Sequence, residues 1–239
     1  MKFTAARFGR WEPDNSPRKG CAVFNLAEEL LILSLPDALG KKVGMAGNIS
    51  YALTGAFIIE LMTRGRARLN DKKKLEITDS SSTGNELLDE VIQRIRGAKR
   101  PATAQTWIGN LALAIKRLRP RVLQPLVDKG IVRAEPKKFL GLFPYTYYFL
   151  FDPTPAMEIR ERLRASLIDE RAMEARTLLL VSILQASRFL TAQLPKTERK
   201  AANKKAAQLM KENAIAKAIA DQNAAVAAAV IAATSAASS

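Results

Sequence analysis

The sequence predicts a mainly α protein with one substantial core and minor strands, and three stretches carry that expectation. The first is Ile49–Leu69, ISYALTGAFIIELMTRGRARL. Ala52, Leu53, Ala56, Phe57, Ile59 and Met62, with Glu60 beside them, make it apolar nearly all round, the pattern of a helix buried inside a domain. Gly65 stops it, most simply in the left-handed conformation that glycine adopts cheaply, and Ala67–Leu69 read as a short strand. The second, Leu123–Arg133 (LQPLVDKGIVR), repeats the syntax of apolar helix, Lys-Gly stop and short strand. The third, Phe139–Phe151 (FLGLFPYTYYFLF), sets β-forming residues on both sides of Pro144 and predicts a hairpin turning at Gly141–Pro144.

Composition bounds the function. The 239 residues are 48% hydrophobic but only 6% aromatic, so aliphatic side chains must build the core. A formal charge of +15 favours anionic partners: nucleic acid, acidic headgroups or an acidic protein face. Histidine is absent and Cys21 is the only cysteine, which excludes histidine acid–base chemistry, the usual Cys/His zinc sites and an intrachain disulfide. Met1–Gly20 has no continuous apolar core, so no secretory signal is expected. The apolar run Ala224–Ala233 is half the roughly 20 residues a spanning helix needs, so a soluble or peripheral protein is expected.

Taken in order, residues 1–23 read as a basic, flexible arm carrying Trp11, with Pro13 and Pro17 against a long helix. Asn25 and Glu28 have capping-box spacing for a helix that ends near Pro36. Glu28 and Glu29 are adjacent, so they diverge on a helix and make a poor catalytic or metal pair. Strands are expected at Ala67–Leu69 and Leu75–Thr78, then a loop at Asp79–Gly84. Glu86–Arg96 is an amphipathic helix. Thr103 caps a helix whose Trp107 anchors the core. Pro155–Leu167 is a charged helix, Asp169–Leu194 a strongly apolar one, and 196–223 a charged, Ala/Lys-rich helical tract, while 234–239 should fray.

From Lys116 to Lys138 the chain has eight basic residues against Asp128 and Glu135 alone, led by Lys116, Arg117, Arg119 and Arg121. A solvated helix face mixes its signs more evenly, so this run is the candidate anion-binding surface.

In their order and spacing, several segments resemble the Golgi phosphoprotein 3 (GPP34) family. They are Asn25–Leu31, Gly55–Leu61 with Arg64–Arg66, Thr83-Gly84, Leu87–Glu90, Trp107-Ile108, Leu126–Gly130 and the Phe139–Pro153 hairpin. The resemblance covers about residues 24–233 and implies a single GPP34-like domain of buried central helices, surrounded by amphipathic ones, with a protruding β-hairpin. It implies no enzyme and no cofactor. It implies binding of phosphatidylinositol 4-phosphate at a membrane surface on the cytosolic side, capture of protein tails, and self-association through the hairpin at 139–151, for which Tyr147, Phe149 and Phe151 are the candidate residues.

By the same resemblance the lipid pocket's basic pair falls on Lys116 and Arg119, whose spacing of three suits neighbouring helical turns and one phosphate. Its tryptophan and its arginine fall on Met45 and Thr54, so little preference for the 4-phosphate is expected, with Arg117 and Arg121 supplying charge instead. That loss suits a divergent or bacterial-type member. The competing expectation is non-specific nucleic-acid binding through the two helix–Gly–strand units, as in a winged helix.

Overall fold

The computed structural model describes residues 24–37, 49–140, 142–169, 171 and 173–211, with the backbone alone for Phe139, Met210 and Lys211. Its elements run α1 (Leu26–Ser34), α2 (Ile49–Thr63), β1 (Ala67–Leu69), β2 (Leu75–Ile77), α3 (Glu86–Arg96), α4 (Ala104–Ala114) and α5 (Leu118–Asp128). They continue with β3 (Val132–Phe139), β4 (Phe143–Leu150), α6 (Thr154–Leu167), α7 (Ala175–Ala186), a 3-10 turn at Leu190–Gln193, and α8 (Arg199–Lys211). The expected arm at 1–23, Met45, the apolar run Ala224–Ala233 and the tail at 234–239 lie outside the described residues. No described helix is long and apolar enough to cross a membrane.

α2 is buried continuously from Ala52 to Met62 and packs against α1, α3, α4, α5 and α7, as its all-round apolar sequence predicts. Gly65 and Gly130 end α2 and α5 with φ of 69° and 71°, where a side chain would be strained. β1 and β2 pair antiparallel, Ala67 opposite Ile77. α1 starts with the expected capping box: Asn25 Oδ1 accepts from the Glu28 N–H at 2.9 Å, and Glu28 Oε2 accepts from the Asn25 N–H at 2.8 Å.

Two buried acids, Glu29 and Glu60, are held by arginines. Glu29 takes Arg162 at 2.8 Å and Arg176 at 3.3 Å. Glu60 takes Arg64 at 2.9 Å, the Leu26 N–H at 3.1 Å and Arg176 at 3.6 Å. This chain of charges stitches α1, α2, α6 and α7 together. Arg66, two residues beyond Arg64, turns away to Asp79 and Ser81.

The hairpin is longer than its aromatic run. β3 and β4 pair from Val132↔Leu150 to Phe139↔Phe143, so the turn falls at 140–142 rather than Gly141–Pro144. The short strand predicted after Gly130 is therefore the first arm of the same ribbon. Pro136 and Pro144 fit because a two-stranded ribbon leaves outward N–H positions that need no ladder partner. The expected apolar helix over 169–194 is broken as well. α7 stops at Ala186, Arg188 takes a left-handed φ of 55°, and Phe189 and Leu190 turn into the core.

Candidate functional site

α4 and α5 meet at a corner. α4 buries Ala104, Trp107, Ile108 and Leu111, and Thr103 caps it by accepting from the Thr106 N–H at 3.2 Å. Ile115 is already extended, at φ −83° and ψ 102°, and its buried side chain pins the corner. Arg117 follows in the left-handed region with φ 53°, a conformation that costs a residue with a Cβ about 1 kcal/mol and persists only where its surroundings impose it. α5 then begins at the buried Leu118, and Pro120 sits in its first turn, where a missing N–H costs nothing.

This geometry corrects the expected pairing of Lys116 with Arg119 on successive turns of one helix. Lys116 is in the turn, Arg117 caps α5 without a side-chain bond, and Arg119 lies in its first turn. All three side chains are exposed, and among the described residues none of them makes an ion pair or hydrogen bond.

Arg121 departs from the expected set. It donates to Glu90 and Glu86 of α3, both at 2.6 Å, and those bonds, Glu90's first, raise its pKa. Burial alone would push Glu90 up, but Arg121 and Arg94 outweigh it and hold the carboxyl below its ordinary value. Arg121 is thus a clasp between helices. A cavity of ≈ 300 Å³ beside it is lined by Glu28, Glu86 and Asp128 among others, and three carboxylates suit it poorly to an anion. Burial raises the pKa of Glu28 there, outweighing the hydrogen bond with Asn25 and the charge of Lys129.

Thr54 is a second correction. It is wholly buried, and its hydroxyl lies 3.0 and 3.2 Å from the Ser50 and Tyr51 carbonyls and 3.1 Å from that of Ile108. It faces α4 inside the core and cannot reach a headgroup, although it ties α2 to the helix that ends at the cationic corner. A threonine within an apolar helix that folds back onto its own carbonyls leaves this signature in sequence.

On the hairpin, Tyr147 and Phe149 stack at 5.9 Å between ring centres. Lys137 lies over Tyr147 and Arg133 over Phe151, each at 4.0 Å. Cations thus edge the hairpin's aromatic side chains. The turn exposes Leu140, Leu142 and Phe143, which the aromatic count alone did not single out. Among the described residues no group of three or more acidic or cysteine side chains is placed to hold a metal.

The described residues thus form a helical domain with a cationic corner between α4 and α5 and a cation-edged aromatic hairpin. The chain belongs to the Golgi phosphoprotein 3 (GPP34) family, whose profile matches residues 26–231. It is similar to vacuolar protein sorting-associated protein 74 of Eremothecium gossypii, 32% identical over 165 residues, covering 61% of this chain and 49% of that protein. The protein of the same description in Schizosaccharomyces pombe is 30% identical over 182 residues, covering 68% of this chain and 52% of its own length. The chain thus spans about half the length of these curated relatives.

Proposed function

We propose that this protein is a non-enzymatic, peripheral membrane adaptor that binds anionic phospholipid headgroups through Lys116, Arg117 and Arg119. One observation carries the reading: these three cations within four positions are exposed without a counter-charge among the described residues, whereas the neighbouring Arg121 is committed to Glu86 and Glu90. Each cation near an acidic membrane contributes about 1 kcal/mol, and a well-held phosphate bond roughly 1.5–3 kcal/mol. The family supports a membrane partner on the cytosolic face and protein tails as clients.

With Met45 at the family's indole position and Thr54 buried, the corner recognises phosphate charge without selecting a 4-phosphate. Self-association through the hairpin is the second part of the proposal, and the stacked Tyr147 and Phe149 with the exposed tip support it.

Co-sedimentation with phosphatidylglycerol-containing vesicles at low and raised salt tests the reading, with phosphatidylcholine vesicles alongside. Binding should require acidic lipid and weaken with salt. Equal recovery on both vesicles removes it, and tight duplex DNA binding without lipid binding replaces it with the nucleic-acid reading.

A further inference from the structure

We propose that Leu113 is a membrane-inserting side chain, which enters the acyl boundary of an anionic bilayer while Lys116, Arg117 and Arg119 hold the phosphates beside it. The inference rests on the lipid-binding reading above and adds an apolar anchor to an electrostatic contact.

Leu113 lies off the buried stripe of α4. That stripe runs through Ala104, Trp107, Ile108 and Leu111 and continues to Ile115, whereas Leu113 is 78% exposed, the most exposed large apolar side chain among the described residues. A single exposed leucine needs no explanation by itself. Its setting supplies one. Three residues of chain span at most about 11 Å, so Leu113 stays that close to Lys116 at the backbone, and the helix ends one residue beyond it.

The charge around it has one sign along the chain. Residues 91–127 contain no aspartate or glutamate, and they hold Arg94, Arg96, Lys99, Arg100, Lys116, Arg117, Arg119 and Arg121. Glu86 and Glu90 of α3, whose carboxylates reach this segment, are taken up by Arg121 and Arg94, and Asp128 accepts from Gln124 Nε2 at 2.8 Å. Arg94 Nη2 also lies 3.5 Å from the Ala114 carbonyl, at the negative end of α4. An acidic bilayer approaching the corner therefore meets cations that have no ion-pair partner among the described residues and, a few residues along the chain, an exposed isobutyl group.

Apolar insertion and attraction to anionic lipid add in interfacial binding. Cations alone hold a protein at the headgroup level. An apolar side chain beside them converts that attraction into contact with the acyl region, which salt screens far less. The left-handed Arg117 matters here as geometry, because it turns the chain between Leu113 and Arg119 and keeps the corner a corner.

The test places an environment-sensitive nitrobenzoxadiazole label on a Leu113→Cys variant in a Cys21→Ser background, with an Asn203→Cys label on α8 as reference. Phosphatidylglycerol vesicles should raise and blue-shift emission at position 113 several-fold, and nitroxides on the acyl chains should quench it, with neither effect at 203. Unlabelled Leu113→Ala should bind these vesicles roughly fivefold more weakly at unchanged melting temperature. Co-sedimentation without any change at 113 overturns the insertion and leaves headgroup binding standing. An equal emission change with soluble inositol hexakisphosphate also overturns it, because that ligand has no acyl region. Failure to co-sediment with acidic vesicles removes the lipid reading and the insertion together.

Discussion

Arg121 donates to Glu90 at 2.6 Å across the α3–α5 contact, two residues after Arg119, which points to solvent without an ion-pair partner among the described residues. Neighbouring cations thus do different work. Arg121→Ala should cost about 1–2 kcal/mol of stability and leave binding to acidic vesicles nearly intact. Arg119→Ala should do the reverse, weakening binding several-fold at unchanged stability. Urea denaturation and co-sedimentation of the two variants check this, and a shared effect on both quantities would merge the roles.

Glu60 answers Arg64, Arg176 and the Leu26 N–H from inside the core. Its removal leaves the buried Leu26 N–H without its carboxylate and takes one partner from Arg64 and from Arg176, so Glu60→Ala should destabilise by about 2–3 kcal/mol. The loss is structural. A Glu60→Ala protein as stable as the parent in urea would contradict the assignment.

Glu28 gives a pH signature. Burial raises its folded pKa above the ordinary 4.5, so its contribution to stability is fully present below that value and is lost as pH rises through the folded value. Gln keeps an oxygen for the Asn25 N–H and carries no charge. Glu28→Gln should therefore melt above the parent at neutral pH, and the gap should close as pH falls towards 4.5. A gap that widens on acidification would reverse the sign of the argument.

Tyr147→Ser with Phe149→Ser removes the stacked pair from the hairpin while leaving the buried Leu150 and Val132 at its base. If the hairpin joins subunits, light scattering of the folded double variant should give a smaller mass than the parent. An unchanged mass beside an oligomeric parent would move the contact elsewhere.

Much of this fold is legible because local chemistry and tertiary need agree. The all-round apolar α2, the stops at Gly65 and Gly130 and the Asn25–Glu28 capping box each follow from a few adjacent residues. The hairpin's length escaped because prolines 136 and 144 discourage a strand anywhere but in a ribbon with free edges. The corner escaped for a subtler reason. Nothing at Arg117 announces a left-handed residue, and the spacing of Lys116 and Arg119 suits neighbouring turns of one helix. Pro120 was the available signal, since a proline in a helix favours its first turn and so places a start near Leu118. Arg121's clasp to Glu86 and Glu90 joins residues 31 and 35 apart in sequence, and only tertiary packing reveals it.

On the proposed reading the corner itself, and not the net charge of +15, holds the protein to the membrane. Reversing Lys116 and Arg119 together to Glu changes the charge by the same amount as reversing Lys204 and Lys205 of α8. Co-sedimentation of both double variants with phosphatidylglycerol vesicles, with circular dichroism confirming the fold, compares them directly. The corner pair should lose at least about tenfold in binding, from charge-assisted contacts of roughly 1.5–3 kcal/mol each, and the α8 pair far less. Equal losses from the two pairs would contradict a local site and leave only attraction to bulk negative charge.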